Sequence, residues 1–379
     1  MTTGPTLHTQ ICDLFEIQYP IVLAGMGGAS TPELAAAVSN AGGLGVLGAA
    51  SCGPEKLRAW IRQTRALTDK PFGVDTLLPA SVRRQQQLAD AGDRSPTDTV
   101  EHRAFAARFM EEQGLVRRSR TDADEKPEEG DDDLVLFSEP FFRAQMEVVI
   151  EERVPVYAAG LGNPGPWMDE LKANGTKVLA VIGAVRHAVQ VASSGIDVVV
   201  AQGHDAGGHN SPVGTMALIP QVVDAMGSVP VLAAGGIADG RGLAAALMLG
   251  ASGVWVGSTF LASGEAGIPD FQKRALVDAT EESTVISRSL TGKPCRVLRS
   301  SWTDAWQTGE LEPLPMPYQS MVSDAVLSAA VQAERTDVYP GIAGQGIGMI
   351  KAVRPAAEIV ADYVETAAAT LGSRSLGAS

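Results

Sequence analysis

The stretch PVLAAGGIADGRGLAAALMLGASGVWVGSTFL, residues 230–261, contains two strand-and-turn units separated by a helical segment. Each unit begins with a short apolar run, VLAA and then GVWV, and each run ends at glycine. Uninterrupted apolar runs of this length predict strands that are buried on both faces, as in parallel sheets. The helical segment between them supplies the crossover that parallel strands require. This stretch therefore predicts an α/β protein with a parallel sheet.

The same rhythm continues along much of the 379-residue chain. Eight candidate strands alternate with helical segments, a pattern that is typical of a (β/α)8, or TIM, barrel. An open, doubly wound sheet is the alternative, but the first turn, AGMGGAS at 24–30, lacks the G-x-G-x-x-G spacing of dinucleotide-binding sheets. The predicted strands lie at 20–28, 43–49, 71–79, 154–162, 177–183, 197–203, 229–236 and 253–261.

Two parts of the chain depart from this rhythm. We predict a barrel over 1–263 with an insertion at about 80–140, a smaller, mostly helical domain over 264–340, and a glycine-rich turn and C-terminal helix over 341–379 that return to the barrel. Within the insertion, TDADEKPEEGDDD at 121–133 has eight acidic residues and one lysine. Such a segment cannot bury apolar surface, which predicts a mobile loop.

Composition narrows the function classes. The net charge is −14 and no basic patch stands out, so we expect neither nucleic acid nor a membrane surface as a partner. Cys12, Cys52 and Cys295 are too few and too scattered for a disulfide framework or a zinc site, so no metal is expected. The N-terminal region lacks the pattern of a secretion signal, and no apolar run is long enough to span a membrane. We expect a cytoplasmic protein that acts on a small-molecule substrate; the oligomeric state, a homo-oligomer included, stays open.

In a TIM barrel the active site lies at the carboxyl ends of the strands, and the loops after the seventh and eighth strands often bind phosphate. Here those loops read AAGGIADGRG (233–242) and VGSTF (256–260). Their glycines let backbone N–H groups approach an anion, and helix N-termini follow. Tight turns alone are the alternative explanation of these glycines. Asp239 is interpreted as a helix N-cap rather than as a catalytic acid.

Small residues at the ends of the first, third and sixth strands leave room for a flat ring across the barrel mouth. Flavin mononucleotide (FMN) fits such a space together with the phosphate site. The sixth-strand loop, QGHDAGGH at 202–209, holds two of the five histidines. Gly207 and Gly208 let the backbone pass close to the ring and present His209, which is the predicted acid or base. His204 is the weaker candidate. The histidines for which no chemical role is expected are His8, His102 and His187.

These motifs resemble the nitronate monooxygenase family, formerly called 2-nitropropane dioxygenases, which includes flavin-dependent enoyl-acyl-carrier-protein reductases. The string AQGHDAGGH at 201–209 is specific to this group, and PIVLAGMGG, AGGLGVLG, PFGVDTLLP, the 230–261 stretch and GQGIGMI also match. The matching stretches cover most of 17–263 plus a C-terminal turn. The resemblance implies a TIM barrel with a smaller helical domain, non-covalent FMN, and a histidine base at the position of His209.

By position, the resemblance implies that Gln202 and Gly207 touch the flavin and that Gly25 and Met26 line its ring. It implies further that Gly236 and the 255–258 stretch hold the phosphate. Asp75 stands where many relatives have asparagine, so a different flavin contact is expected, because aspartate cannot donate as an amide does. The complete predicted cofactor site is Gly25, Met26, Asp75, Gln202, Gly207, Gly208, Gly235, Gly236, Trp255, Val256, Gly257 and Ser258.

The resemblance favours an FMN-dependent monooxygenase that oxidises nitronates or nitroalkanes with O2 to a carbonyl compound and nitrite. There His209 would remove the α-proton of a nitroalkane or orient an ionised nitronate. The alternative is an NAD(P)H-dependent flavin reductase of an enoyl thioester or quinone. A flavin-binding barrel without turnover is a third hypothesis, which the presence of His209 disfavours. Some relatives have a lysine near the fifth strand tip, but this chain has Val181 and Ile182, so no cationic partner for the flavin is evident.

Overall fold

A computed structural model describes residues 7–78, 99–116, 138–309 and 311–373 of the chain. Most of the predicted insertion, including the acidic segment 121–133 for which we predicted a mobile loop, lies outside these residues. The strands in chain order are β1 (Ile21–Leu23), β2 (Gly45–Gly48), β3 (Phe72–Leu78), β4 (Val156–Gly162), β5 (Lys177–Ile182), β6 (Val198–Gln202), β7 (Gly208–His209), β8 (Val231–Ala234), β9 (Gly253–Val256), β10 (Thr284–Ser287) and β11 (Cys295–Leu298).

Eight of these strands are parallel and form one sheet in the order β1-β9-β8-β6-β5-β4-β3-β2. A bridge between Val22 and Leu44 joins β1 to β2 at the two ends of this order. There the N–H of Leu44 donates to the carbonyl of Ile21, and the N–H of Leu23 donates to the carbonyl of Leu44, both at 2.9 Å. The sheet therefore curls into a ring, and the predicted TIM barrel is confirmed.

All eight predicted strands are present, but the first, predicted at 20–28, covers only Ile21–Leu23, and the eighth is also shorter than expected. It ends at Val256, and Ser258 begins a short helix that buries Phe260 and Leu261. The continuous apolar pattern of 253–261 does not distinguish a strand from a buried helical turn, so the sequence could not place this boundary.

Helices cover the outer face of the ring and pack on it through one large apolar core. The helices in chain order are α1 (Gln10–Phe15), α2 (Pro32–Asn40), α3 (Pro54–Leu67), α4 (Val100–Glu112), α5 (Glu139–Glu151), α6 (Met168–Ala173), α7 (Val185–Ala192), α8 (Thr215–Met226), α9 (Gly240–Met248), α10 (Ser258–Leu261), α11 (Asp270–Asp278), α12 (Ser301–Thr308), α13 (Tyr318–Gln332) and α14 (Ala356–Gly372).

A second, smaller core fills the inside of the ring. Helix α1 closes its N-terminal end with Ile11, Cys12 and Phe15, which pack among inward-facing aliphatic side chains of the strands. Gln10 Nε2 donates to Ser252 Oγ at 2.7 Å, just before β9 begins. Towards the carboxyl ends the inward residues become small. The barrel is therefore plugged at one end and leaves space at the other.

The segment 264–340 contains α11, α12 and α13 and, in addition, the antiparallel strands β10 and β11. These strands were not predicted. Helix α4, which comes from the predicted insertion, packs on α13 and α12 rather than on the barrel. The Phe105 and Trp306 ring centroids are 4.7 Å apart, and those of Phe109 and Trp302 are 5.0 Å apart. A helix of the insertion thus contributes to the core of the smaller domain.

The C-terminal helix α14 lies against α9 and α2 on the outside of the barrel. Its Tyr363 hydroxyl donates to the carbonyl of Ile237 at 3.0 Å, in the loop that follows β8. The helix therefore supports that loop from behind. Across the ranges described, no helix has both the length and the apolar content that a membrane span needs.

Candidate active site

A cavity of about 480 Å³ opens at the carboxyl ends of the barrel strands. This volume is within the range of small-molecule sites. All thirteen residues of the predicted site line it: Gly25, Met26, Asp75, Gln202, Gly207, Gly208, His209, Gly235, Gly236, Trp255, Val256, Gly257 and Ser258. The structure thus brings together residues from five separate segments of the sequence.

The loop after β6 is held in one conformation by contacts along its whole length. The His204 N–H donates to the carbonyl of Val213 at 2.7 Å, and Gln202 Nε2 donates to the carbonyl of His209 at 2.8 Å. Gly208 has φ +77°, in the left-handed region that favours glycine. At Gly207 a Cβ would lie 2.7 Å from the backbone of Ala343, so glycine is needed for this close approach. The two glycines therefore turn the chain and place His209 at the cavity.

His209 lies in the two-residue strand β7, opposite Cys295 of β11. Its Nε2 is 2.8 Å from Thr291 Oγ1, so the hydroxyl fixes the orientation of the ring. Burial, assisted by the positive charge of Lys293, lowers the pKa of His209 to about 4. The imidazole is therefore neutral at neutral pH, which is the form that a general base requires.

His204 has a different environment. Its Nδ1 contacts the carbonyl of Ser211 at 2.9 Å within the same loop, and it does not belong to the lining of the cavity. Its own carbonyl accepts from Arg296 Nε and Nη2, both at 3.2 Å. His204 therefore stabilises the loop and does not line the cavity. His8, His102 and His187 also lie outside the lining.

Arg296 of β11 is 3% exposed and connects the smaller domain to the β6 loop. Besides the His204 carbonyl, it donates to Thr284 Oγ1 at 3.1 Å. The next residue of the loop, Asp205, accepts from the N–H of Thr215 through Oδ2 at 2.9 Å, and its carbonyl accepts from the N–H of Gln345 at 2.9 Å. Three segments of the chain therefore hold the loop that carries His209.

The loops after β8 and β9 form the opposite side of the cavity. Gly235 and Gly236 have φ of +103° and +71°, and a Cβ on Gly236 would lie 3.1 Å from Asp205 Cβ. Ser258 Oγ accepts from the N–H of Gly344 at 2.8 Å, which joins the β9 loop to the C-terminal turn. Asp239 accepts from the N–H groups of Arg241 and Gly242, as an N-cap of α9 does.

This side of the cavity fits a phosphate held by backbone donors. Helix α10 begins here, and the N–H groups at a helix start favour an anion, whereas the first N–H groups of α9 already donate to Asp239. Among the described residues of the lining, none is a lysine or an arginine. A phosphate at this place would depend on N–H groups and on hydroxyls such as that of Ser258.

Asp75 lies on the floor of the cavity, in the middle of β3. Its side chain is 6% exposed in the cavity lining, between Gly25 and Gly160, where a Cβ on either glycine would overlap the carboxyl group. Burial raises the pKa of Asp75 well above its ordinary range, and the N–H of Gly160 opposes this only in part. A carboxylic acid in its neutral form carries an O–H donor, which a carboxylate lacks.

Several residues of the site were not found from the sequence because they belong to the smaller domain. The Thr291 hydroxyl contacts the His209 ring, and the positive charge of Lys293 helps to lower the pKa of His209. The signal was present, since TVIS at 284–287 and CRVL at 295–298 are short β-branched runs on either side of a turn that contains glycine and proline. What the sequence did not show is that β11 pairs with β7.

A sequence profile of the nitronate monooxygenase family matches residues 8–366. A provisionally named monooxygenase of Mycobacterium tuberculosis is 38% identical over 378 residues, which cover 97% of this chain and 98% of the relative. The nitroalkane oxidase structure from Streptomyces ansochromogenes has a TM-score of 0.79 at 30% identity and covers 96% of this chain and 99% of its own. FabK from Thermotoga maritima has a TM-score of 0.75 at 34% identity, with 97% and 98% covered. The chain belongs to the nitronate monooxygenase family, and it is an oxidoreductase.

Proposed function

We propose that the protein is an FMN-dependent oxidoreductase that uses O2 to oxidise alkyl nitronates or nitroalkanes to a carbonyl compound and nitrite. The observation that carries this proposal is the position of His209, a half-buried imidazole at the cavity that is oriented by Thr291 and neutral at neutral pH. The family membership and the likeness to a nitroalkane oxidase support the same reaction.

The residues present fit FMN. The phosphate would be held by the loops at 235–238 and 257–259, the second of which includes Ser258. The ring would be surrounded by Gly25, Met26, Gln202 and Asp75. Gly207, Gly235 and Gly236 line the cavity, and each lies so close to neighbouring protein atoms that a Cβ would be crowded. When bound, the flavin accepts electrons from the substrate and passes them to oxygen.

His209 takes the α-proton of a neutral nitroalkane in this scheme. A hydrogen bond joins His209 Nε2 to Thr291 Oγ1, so the imidazole ring cannot turn freely. When Nε2 donates to Thr291, Nδ1 holds the lone pair that accepts the proton. Lys293 opposes protonation of the resting imidazole and favours an anion beside it, as a nitronate is. With a pre-ionised nitronate, His209 only orients the substrate.

The second candidate is an NAD(P)H-dependent reductase of an enoyl thioester or quinone. The likeness to FabK supports it, as does the apolar wall that Phe271, Leu276 and Ile342 add to the cavity. Such a wall suits a substrate with an aliphatic or aromatic portion. In both candidates the protein is expected to act in the cytoplasm on small molecules rather than on nucleic acid or membranes.

Anaerobic stopped-flow measurement of flavin bleaching separates the two candidates. A nitronate alone should bleach the flavin within the turnover time of the enzyme, whereas NADH and NADPH should do so slowly. Rapid bleaching by either nucleotide, with no response to nitronates, would replace the first candidate by the second. A purified protein that contains no flavin and takes up none would contradict both.

A further inference from the structure

Asp75 is an acidic side chain with an unusual position on the cavity floor. Within the described part of the chain its Oδ1 is buried and has no hydrogen-bond partner. The carboxyl group lines the cavity, and the Gly25 and Gly160 backbones leave it no room to turn away. An unpaired polar atom of this kind is costly unless a ligand satisfies it.

The surroundings of Asp75 offer no countercharge. Its neighbours in the sheet are Gly48 of β2 and Ala158 of β4. Tyr157, on the other face of β4, is neutral, because burial raises the pKa of its hydroxyl far above the ordinary range. His209 is neutral as well, and the described lining contains no lysine or arginine. A carboxylate here would be a buried charge without a partner, which proteins avoid by protonation.

We propose that Asp75 retains its proton and donates a hydrogen bond from its carboxylic acid to an acceptor atom of the flavin ring bound above it. This inference rests on the proposed function, since it takes the bound group to be a flavin. Ring nitrogens and carbonyl oxygens are acceptors, so a neutral acid complements them where a carboxylate would repel them. The competing arrangement is an ionised Asp75 that accepts from a ring N–H.

Infrared difference spectroscopy of wild type and Asp75→Asn tests whether Asp75 carries a proton. The wild-type protein should show the carbonyl stretch of a protonated carboxylic acid at neutral pH, and Asp75→Asn should lack it. Addition of FMN should move this band to lower frequency, as hydrogen-bond donation does. Carboxylate bands alone, before and after FMN, would overturn the proposal.

Flavin affinity provides the second measurement, by fluorescence titration of the apoprotein. Asp75→Ala removes the donor and should weaken FMN binding by about tenfold, the effect of one hydrogen bond. Asp75→Asn keeps a neutral donor and should restore most of that loss, and its flavin midpoint potential should stay near that of wild type. Equal affinity in wild type and Asp75→Ala would count against the donor.

The design separates this inference from the proposed function. If wild type binds no FMN, both fail together. If wild type binds FMN but shows an ionised Asp75, only this inference fails. Asp75→Asn changes no volume, so it remains informative even if Asp75→Ala proves unstable in a thermal melt.

Discussion

The two sides of the cavity are built in different ways. On the barrel side, the cavity is lined by the backbone of Gly235, Gly236 and the 257–259 loop. Gly235 and Gly236 have left-handed φ angles and close neighbours, which favour glycine at both positions. On the smaller-domain side, Thr291, Lys293 and Arg296 act through side chains that set the orientation, charge and position of the His209 loop. The comparison suggests a division of roles, in which the barrel side binds the cofactor and the domain side controls the base.

The largest effect is expected on the barrel side. Gly236→Asp should abolish FMN binding, because it forces a left-handed residue to carry a side chain and adds a carboxylate close to Asp205 where a phosphate must enter. Flavin content of the purified protein is the measurement. Gly264→Asp is the matched control, since nothing lies within 4 Å of a Cβ there. A Gly236→Asp protein with full flavin content would refute the placement of the phosphate.

The next effect separates binding from chemistry. His209→Ala should leave FMN binding near normal and slow the oxidation of a neutral nitroalkane by about 10²–10⁴-fold, the usual contribution of a general base. The oxidation rate of a pre-ionised nitronate should fall less, because this substrate has already lost its α-proton. The flavin reduction rate with each substrate is the quantity to compare.

His204→Ala serves as the control within the same loop and should cost about tenfold or less on either substrate. If His204→Ala shows the large loss in flavin reduction rate and His209→Ala behaves as wild type, the base has been assigned to the wrong histidine.

A pH profile tests the domain side. Lys293→Gln removes a positive charge, so the pKa of His209 should rise from about 4 towards, but not to, its ordinary 6.5, because burial is the larger cause of the shift. The acid limb of kcat/KM for a neutral nitroalkane should therefore move to higher pH. At about pH 5 the variant should lose at most about threefold relative to its own rate at about pH 8, whereas wild type should lose almost nothing. Lys70 is exposed, and Lys70→Gln is the control that should leave the acid limb unchanged. An unchanged acid limb in Lys293→Gln would show that the charge of Lys293 has no influence on His209.

Stability should respond to the same group. Between about pH 6.5 and pH 4 the unfolded chain binds a proton at position 209 that the native state does not bind. The contribution of His209 to the free energy of unfolding should therefore fall as the pH is lowered through this window. Denaturant titrations of wild type and His209→Gln at several pH values measure the difference. Parallel curves for the two proteins would mean that His209 is not protected from protonation.

The smallest effect is expected from the acidic segment 121–133. Deletion of 121–133 should leave FMN binding and the melting temperature nearly unchanged, because a segment so rich in acidic residues contributes little packing. Flavin content and a thermal melt suffice as measurements. A large drop in melting temperature would instead assign the segment a structural role.

The sequence alone determined the barrel, because a strand that is buried on both faces needs a continuous apolar run, and each such run ends where glycine or small residues open the cavity. It also identified the barrel side of the site, since backbone binding depends on glycine at particular positions of a local loop. Gly235, Gly236 and His209 were all recognisable in this way.

Only the tertiary structure decided the rest. The pairing of β7 with β11 brings Thr291 within 2.8 Å of a histidine 82 residues away, and no local pattern encodes that contact. Burial and the charge of Lys293 lower the pKa of His209, and burial raises the pKa of Asp75; these surroundings exist only after folding. The packing of α4 on α12 and α13 is likewise long-range. The sequence therefore determined which groups are available, and the fold decided how deeply each is buried and which groups surround it.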